Sequence, residues 1–215
     1  MTPQATLESG LEALALPLPA ATQVKLLDYL ALLRKWNRTY NLTAIRDPRT
    51  MVTHHLLDSL AVIPHVVTGA APQRIADVGS GAGLPGIPLA LARPEWRVTV
   101  NDRNSKKAAF LRQAKIELSL ANLEIHEGPA QQWHPPDQFD CVISRAFAVL
   151  DEFVSVCRHL LAPGGVLAAM KGAWPEPGRG VQPADADCSD VRRLQVPMLH
   201  AERHLVLCRL GGASA

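Results

Sequence analysis

The sequence predicts an α/β fold in which helices cover a mainly parallel β-sheet and a helical extension precedes the sheet. Three observations lead to this prediction. Short apolar runs alternate with helical stretches from residue 73 onward, a glycine-dense turn follows the first of these runs, and residues 1–70 show only helical periodicity. We therefore expect two parts, a helical cap at residues 1–70 and a sheet domain at residues 71–215.

The composition is that of an ordinary globular protein. The chain has 215 residues, of which 47% are hydrophobic and 20% are charged, and its formal net charge is +2. No run approaches about 18 uninterrupted apolar residues, and the N-terminal segment carries acids where a signal peptide carries positive charge. We therefore expect a cytoplasmic protein with no membrane partner. Because Cys141, Cys157, Cys188 and Cys208 lie far apart without metal-ligand spacing, we expect four reduced thiols.

Two amphipathic helices are predicted in the cap. Apolar residues recur at helical spacing over residues 22–36, and Thr22 is a candidate N-cap. A second helical stretch covers residues 50–66, where Pro64 is expected to end or kink the helix.

Strands and helices alternate through the sheet domain. Strands are predicted at residues 74–78, 96–100, 123–125, 139–144 and 166–170, and helices at residues 105–118, capped by Ser105, and 150–160. This order favours right-handed βαβ units and a parallel sheet. The runs at residues 191–199 and 204–210 have no helix between them, so we expect them to close the sheet as an antiparallel hairpin. The Pro- and Gly-rich segment 173–187 is predicted to be a mobile loop.

The strongest local signal is the glycine-dense turn DVGSGAGLPG at residues 77–86. Glycines there let the backbone approach a ligand closely at the start of a helix. Gly81, Gly83 and Gly86 also satisfy the dinucleotide pattern GxGxxG. However, the first glycine to leave the strand is Gly79, which gives the register acid-x-Gly-x-Gly-x-Gly. That register is typical of S-adenosylmethionine (SAM) methyltransferases, in which the acid, here Asp77, faces the methionine end of the ligand, whereas a carboxylate would repel a pyrophosphate.

A second acid, Asp102, closes the second predicted strand. A carboxylate at this place can accept hydrogen bonds from both ribose hydroxyls of a nucleoside ligand, a device that NAD enzymes share. Capping of the following helix is the alternative role for Asp102. Chain length favours SAM over NAD. The roughly 145 residues after the cap are enough for one cofactor-binding domain, but not for the second half that binds nicotinamide or for a separate catalytic domain. SAM is therefore the favoured cofactor.

Positive charge is concentrated in two segments. Residues 34–49 contain five basic side chains against one acid, and residues 103–115 contain five basic side chains and no acid. A solvated helix face is the simpler explanation for each cluster, and contact with RNA phosphates is the functional one. The predicted RNA-binding residues are Arg34, Lys35, Arg38, Arg46, Lys106 and Lys107.

Eight short motifs together resemble one family. They are KWN at 35–37, YNLT at 40–43, RDP at 46–48, HLLDS at 55–59, the run 77–88, FLR at 110–112, ISRAF at 143–147 and ERHL at 202–205. Over residues 24–210 the chain resembles the rRNA small subunit methyltransferase G family, also called glucose-inhibited division protein B. The resemblance implies a Rossmann-like class I SAM-dependent methyltransferase that methylates N7 of one guanosine in 16S rRNA near the decoding centre.

The resemblance also implies partners and site residues. The expected substrate is 16S rRNA, the small ribosomal subunit or its assembly intermediate, and the expected enzyme is a monomer that uses SAM, releases S-adenosylhomocysteine and needs no metal. Gly79 and Leu84 match family residues that contact SAM, Ala130 and Gln131 match the pair beside the adenine, and Arg145 matches the arginine near methyl transfer. The predicted cofactor-binding residues are Asp77, Gly79, Gly81, Leu84, Asp102, Ala130, Gln131 and Arg145, of which Arg145 is also the predicted catalytic residue.

This chain departs from the family pattern at three positions. Gln131 stands where an acid is usual, Pro129 replaces a common arginine, and His54 replaces the arginine of an Arg-His pair. The change at residue 131 weakens the case for a side-chain hydrogen bond to the adenine amino group, although backbone contacts stay possible. The changes at residues 129 and 54 leave undecided whether these positions contact RNA or cofactor. Two other function classes also remain open at this point, namely a small-molecule SAM methyltransferase and a noncatalytic module that binds SAM or a nucleotide.

Several residues have a structural alternative to a functional role. Arg145 could form an ion pair with an acid such as Asp77 or Asp140. His55 and Asp58 lie three apart on one helix face, which suits a metal or an acid–base pair, but we favour a structural hydrogen bond that docks the cap on the glycine loop. Lys171 could contact the RNA backbone or cover the sheet edge. Base-stacking surfaces and core positions are the two alternatives for Trp133 and Trp174.

Overall fold

Seven strands form one sheet in the order β3-β2-β1-β4-β5-β7-β6. The computed structural model describes residues 1–66, 73–147, 149–174, 183 and 186–211. The strands are β1 (Arg74–Val78), β2 (Arg97–Asp102), β3 (Leu123–Glu127), β4 (Phe139–Ser144), β5 (Leu161–Lys171), β6 (Ala186–Arg193) and β7 (His204–Leu210). Strands β1 to β5 are parallel, and β7 pairs antiparallel with both β5 and β6. The predicted parallel sheet with a C-terminal antiparallel hairpin is confirmed.

Strands β5 and β6 differ from the prediction in their bounds. Strand β6 ends at Arg193 rather than at residue 199. The predicted run contains Pro197, which has no backbone N–H to donate to a strand ladder. Strand β5 begins at Leu161, so the predicted turn at residues 163–165 lies within the strand. The segment 173–187, predicted as a loop, falls mostly outside the described residues.

The cap contains two long helices, α1 (Pro3–Ala13) and α2 (Ala20–Tyr40). Helix α1 was not predicted as a separate element, although Thr2 caps it by accepting a hydrogen bond from the Ala5 N–H. Helix α2 begins two residues before Thr22, so Thr22 is not its N-cap. The N-cap is Pro19, whose carbonyl oxygen accepts hydrogen bonds from the N–H groups of Thr22 and Gln23.

The predicted helix at residues 50–66 is divided into short pieces. Helix α3 (Pro48–Met51) leads into a π-helix (Val52–Leu57), which is followed by α4 (Asp58–Leu60) and a 3₁₀ turn (Ile63–His65) that contains Pro64. π-Helical turns widen the backbone and recur at functional sites. Here the π-helix carries His55 and directs the following Asp58 toward the sheet.

The cap and the sheet domain share one hydrophobic core. Leu26, Leu33 and Leu56 of the cap pack in the same buried cluster as residues of β1 and β2. Tyr29 lies wholly inside and its hydroxyl donates a hydrogen bond to the carbonyl of Ala82 at 2.7 Å. The expected boundary between the two parts falls at residues 67–72, which are outside the described residues. Burial of this shared apolar surface holds the cap against the glycine loop.

The remaining helices are α5 (Gly86–Ala92), α6 (Ser105–Glu117) and α7 (Leu150–Cys157), with 3₁₀ turns at Ala130–Gln132 and Arg158–Leu160. Asn104 caps α6, since its side-chain oxygen accepts the Lys106 N–H at 3.0 Å. The prediction that Ser105 caps this helix is therefore wrong, and so is capping of α6 as the role of Asp102. The side chain of Ser105 lies one residue inside the helix, where it cannot reach the orphan N–H groups in the same way.

The expectation of four reduced cysteines is wrong for one pair. Cys188 and Cys208 form a disulfide, because pairing of β6 with β7 brings residues 20 apart in sequence onto neighbouring strands. Cys141 and Cys157 are buried free thiols, and burial raises the pKa of Cys157 to about 12. Within the described ranges, no helix is long and apolar enough to cross a membrane.

Candidate functional site

The glycine-dense turn connects β1 to α5 at the carboxyl end of the parallel strands, where open α/β sheets bind their ligands. Gly79, Gly81 and Gly83 have φ angles of +69°, +60° and +85°. A Cβ atom added at Gly79 would also lie 2.7 Å from the Cβ of Ala146. All three positions therefore favour glycine for their backbone conformation, and Gly79 also requires it for the close approach of the loop after β4.

One cavity of about 320 Å³ opens beside Asp102. We call it the Asp102 cavity. Its lining includes Val78, Gly79, Asn101, Asp102, Arg103, Lys107, Gly128, Ala130, Gln131, Ala146, Phe147 and Glu152. Four predicted cofactor-binding residues, Gly79, Asp102, Ala130 and Gln131, thus meet in one cavity. Ala130 is buried, whereas Gln131 is exposed at the cavity edge.

Asp102 is almost fully buried at the floor of this cavity. One of its carboxylate oxygens accepts the Gly81 N–H at 3.0 Å, and the other accepts the Asn104 N–H at 2.9 Å. The ammonium group of Lys107 lies 3.4 Å from the first of these oxygens. The carboxylate therefore ties the glycine loop to the start of α6 while it faces the cavity.

A second cavity, of about 180 Å³, lies between the cap and the glycine loop. We call it the Arg145 cavity. Its lining is Leu42, Thr43, His55, Gly79, Ser80, Gly81, Ala82, Leu84, Arg145 and Ala146. Gly79 and Ala146 line both cavities, so the two are neighbouring compartments of one site. Gly81, Leu84 and Arg145, three further predicted cofactor-binding residues, belong to this second compartment.

Arg145 is held by an ion pair that the sequence did not reveal. Its Nη1 atom donates to Oδ2 of Asp58 at 3.1 Å and lies 3.3 Å from the carbonyl oxygen of His54. Nε of Arg203 donates to the other oxygen of Asp58 at 2.9 Å. The expected ion pair of Arg145 with Asp77 or Asp140 is wrong, because docking of the cap places Asp58 over the end of β4. Arg145 is therefore both fixed by a buried carboxylate and part of the cavity wall.

His55 connects the cap to the same wall. Its Nε2 atom is 3.0 Å from the hydroxyl of Thr43, and the backbone of Thr43 exchanges two hydrogen bonds with the side chain of Asn37. Burial, assisted by the positive charge of Arg145, lowers the pKa of His55 to about 4. The imidazole is therefore neutral near pH 7. The predicted hydrogen bond from His55 to the glycine loop is not found among the described residues, because Thr43 also belongs to the cap; both residues line the Arg145 cavity.

Asp77 lies beneath the glycine loop and lines neither cavity. Its Oδ2 atom accepts the Gly86 N–H at 2.8 Å, and burial raises the pKa of the carboxyl group to about 7. Four buried polar atoms have no hydrogen-bond partner among the described residues, namely His55 Nδ1, Ser59 Oγ, Asp77 Oδ1 and Ser80 Oγ. The contact of Asp77 with the methionine end of a cofactor stays a prediction.

Several other candidates have structural roles. Trp133 is buried and stacks on His126 with ring centroids 4.5 Å apart, so it is a core residue and not a base-stacking surface. Trp174 packs half-buried against the same part of the core. Lys171 is buried and donates to the carbonyl of Phe147 at 3.0 Å, which holds the loop after β4. The side chain of His54 contacts Thr50 and Thr53 inside the cap.

Residues of the first basic cluster line a surface depression with a volume of about 370 Å³. We call it the basic hollow. It is lined by Ala31, Arg34, Lys35, Asn37, Arg38 and Arg46. None of its four cations forms an ion pair with a described residue. The second cluster is split, because Lys106 is exposed on α6 while Lys107 lines the Asp102 cavity. Sequence reasoning missed this place of Lys107, although its position in the first turn of α6, next to the end of β2, was a usable signal.

Several known proteins are similar to this chain over most of its length. The model of the family described as rRNA small subunit methyltransferase G matches residues 22–206. A ribosomal RNA small subunit methyltransferase G from Burkholderia pseudomallei (strain 1106a) is 50% identical, covering 99% of this chain and 93% of the relative. The corresponding protein from Burkholderia thailandensis is also 50% identical, with 99% and 94% covered. The chain belongs to the rRNA small subunit methyltransferase G family.

Solved structures show the same fold at low identity. A SAM-dependent methyltransferase from Aquifex aeolicus has a TM-score of 0.58 at 17% identity, covering 77% of this chain and 94% of that one. The methyltransferase SibL has a TM-score of 0.57 at 18% identity, covering 85% and 68%. The predicted Rossmann-like methyltransferase fold is confirmed. Family membership confirms an rRNA methyltransferase that uses SAM as its methyl donor.

Burial of Asp77 predicts how the free energy of unfolding depends on pH. Its pKa is about 7 in the folded chain and near its ordinary acidic value when unfolded, so the folded state holds more protons between these values. The contribution of Asp77 to stability therefore becomes less favourable as the pH rises through that window. We expect Asp77→Asn to gain stability relative to the parent chain between about pH 5 and about pH 8, measured by urea unfolding. An equal difference at both pH values would contradict this burial effect. The titration of His55 is common to both proteins and cancels from the difference.

Proposed function

We propose that this protein transfers the methyl group of SAM to N7 of a guanosine in 16S rRNA near the decoding centre. The observation that carries the proposal is the continuity of three features. The Asp102 cavity and the Arg145 cavity share Gly79 and Ala146, and the basic hollow is joined to the Arg145 cavity through Asn37, whose side chain holds Thr43. A donor site and a cationic RNA surface thus lie next to each other.

The residues of the two cavities fit SAM. The cofactor contains a ribose, an adenine and a zwitterionic amino-acid end, which need a hydrogen-bond acceptor, an apolar slot and charged or polar partners. Asp102 supplies the acceptor at the cavity floor, Ala130 and Phe147 supply apolar walls, and Arg145 supplies a cation in the next compartment. At Gly79 a Cβ would meet Ala146, so the glycine keeps the passage between the compartments open. Bound SAM supplies an electrophilic methyl group on a positively charged sulfur.

The chemistry needs alignment more than proton transfer. N7 of guanine has a free lone pair at neutral pH, so no general base has to remove a proton before attack. His55 suits this requirement, because it is neutral, buried and bonded to Thr43 rather than poised as a base. Holding two reactants in line can supply about 7 to 11 kcal/mol of the barrier. The chain's own contribution is therefore a rigid wall around the reacting atoms.

Arg145 is the residue we assign to that alignment. The carboxylate of Asp58 fixes its Nη1 atom, and Arg203 fixes Asp58 from the other side. The remaining N–H groups of the guanidinium stay available at the edge of the cavity. An arginine whose charge is compensated by a buried acid can orient an incoming base without being drawn away from its place.

The basic hollow and the exposed Lys106 provide the contacts for RNA phosphates. A target guanine must leave its stack before it reaches a cavity, which costs a few kcal/mol and less in a loop than in a duplex. Cation contacts with neighbouring phosphates offset this cost. A small-molecule methyltransferase has no use for four unpaired cations in one hollow, so this feature favours the RNA substrate. We place the enzyme in the cytoplasm as a monomer that acts on 16S rRNA or on the small subunit during or after assembly.

The reaction itself is tested by product analysis. We expect the purified protein, supplied with methyl-labelled SAM and 16S rRNA from cells lacking this methyltransferase, to produce 7-methylguanosine at one position, detected by nucleoside mass spectrometry. Label in a different nucleoside would refute the N7 assignment. Label in small molecules of a cell extract but not in rRNA would favour the small-molecule alternative. A comparison of naked 16S rRNA with intact small subunits then identifies the preferred substrate.

The basic hollow predicts a defined salt dependence. If its cations contact phosphates, log affinity for rRNA falls linearly with log salt concentration, and each lost contact reduces the slope by about 0.7 to 0.9. We expect the triple variant Arg34→Ala, Lys35→Ala, Arg38→Ala to reduce the slope by about 2 to 3, measured by filter binding, without changing SAM affinity. The matched control is Arg193→Ala, an exposed cation at the end of β6. An unaltered slope in the triple variant would show that the hollow is only a solvated surface.

Alignment by Arg145 predicts a loss of rate without a comparable loss of binding. We expect Arg145→Ala to lower the single-turnover rate at least about tenfold, while the affinity for SAM falls less. Rates are measured with saturating SAM and rRNA, and thermal unfolding checks the fold. In the parent enzyme the rate should be nearly flat between about pH 6 and about pH 8.5, because the pKa of His55 lies well below this range and Asp77, whose pKa is about 7, lines neither cavity. A rate that rises with a pKa near neutrality and becomes flat in His55→Gln would overturn the alignment mechanism.

A further inference from the structure

The side chain of Lys107 belongs to the wall of the Asp102 cavity. Its ammonium nitrogen lies 3.4 Å from Oδ2 of Asp102, and a Cβ built on Gly81 would lie 3.9 Å from the same nitrogen. The side chain is 39% exposed, compared with 7% for Asp102. Lys107 therefore stands at the mouth of the cavity, above the carboxylate and beside the glycine loop.

The bonds of Asp102 define what Lys107 can do there. An ionised carboxylate offers about four acceptor positions. Two are taken by the N–H groups of Gly81 and Asn104, and the ammonium group of Lys107 stands opposite a third. The positive charge of Lys107 stabilises the nearly buried carboxylate of Asp102. Asp102 and Lys107 both line the cavity, so a ligand bound there can meet the carboxylate and the ammonium group together.

The neighbouring lysine behaves differently. Lys106 precedes Lys107 on α6, and successive helical residues point about 100° apart. Lys106 is exposed, lines none of the described cavities and forms no ion pair with a described residue. The run of basic residues in α6 is therefore not one surface, since one lysine faces solvent and the next faces the donor site.

We propose that Lys107 is a donor-binding residue that holds the ribose of SAM together with Asp102. Asp102 accepts a hydrogen bond from one ribose hydroxyl, and the ammonium group of Lys107 donates to a ribose hydroxyl oxygen. A hydroxyl group can donate and accept at once, so a carboxylate and an ammonium side by side match a vicinal diol. The inference rests on the proposed SAM site and removes Lys107 from the RNA-binding surface.

Calorimetry with two ligands tests this assignment. S-Adenosylhomocysteine and 5′-methylthioadenosine share the adenosine half, but the second lacks the amino-acid end. We expect Lys107→Met to weaken both ligands by a similar factor of about 10, the size of one lost charged hydrogen bond. Lys107→Arg, which keeps the charge and the donors, should recover part of the affinity. The matched control, Lys106→Met, should leave both affinities unchanged.

In RNA binding, the two substitutions should exchange their effects. We expect Lys106→Met to flatten the salt slope of rRNA binding by about 0.7 to 0.9 and Lys107→Met to leave that slope unchanged. Unchanged ligand affinities in Lys107→Met, or a loss confined to S-adenosylhomocysteine, would overturn the assignment. So would a flattened RNA slope in Lys107→Met with normal ligand affinity.

Two further measurements keep the outcomes distinct. If Lys107→Met unfolds, Lys107→Gln takes its place, since glutamine retains a hydrogen-bond donor without the charge. Weaker binding of both ligands supports the assignment, and unchanged affinities overturn it. If the parent chain binds neither S-adenosylhomocysteine nor 5′-methylthioadenosine, the proposed SAM site itself fails. If the parent binds both and the Lys107 variants bind as well as the parent, the SAM site stands and only the role of Lys107 is refuted.

Discussion

The buried carboxylate of Asp58 is the constraint on which the site depends. It pairs with Arg145 after β4 and with Arg203 before β7, and it belongs to the cap, so one side chain joins three segments. A buried charge is tolerated only when it is paired, and removal of one partner typically costs about 3 to 5 kcal/mol. The position of Arg145 at the cavity wall therefore depends on correct docking of the cap. Without the cap, this arginine would have no fixed orientation.

Docking of the cap forms half of the site as well as stabilising it. Tyr29 donates to the carbonyl of Ala82 inside the glycine loop, while Thr43 and His55 face the same loop across the Arg145 cavity. The cap also carries the basic hollow, and Asn37 connects that hollow to Thr43. One helical unit thus lines both the Arg145 cavity and the basic hollow, the two places where we propose that donor and RNA bind. The shared hydrophobic core makes this unit inseparable from the sheet.

Much of the candidate site around Asp102 could be predicted because it is built from local backbone geometry. A strand that ends in a glycine-dense turn places that turn at the carboxyl edge of the sheet, and an acid at the end of the next strand lies beside it, as Gly79 and Asp102 do. The ends of secondary structure were less predictable. Thr22 and Ser105 were plausible caps by residue type, but Pro19 and Asn104 take those roles because capping depends on backbone angles that neighbouring residues impose.

The sequence by itself determined the parallel sheet with its antiparallel hairpin, the glycine register and the family, since these depend on short-range patterns and on motifs that can be read in order. Only the tertiary structure decided which charges meet. Asp58 is 87 residues from Arg145 and 145 residues from Arg203, and Cys188 finds Cys208 only when β6 pairs with β7. The direction of Lys107 into the Asp102 cavity likewise depends on how α6 packs against the sheet. Composition and spacing identify such groups, but packing alone determines their distances and partners.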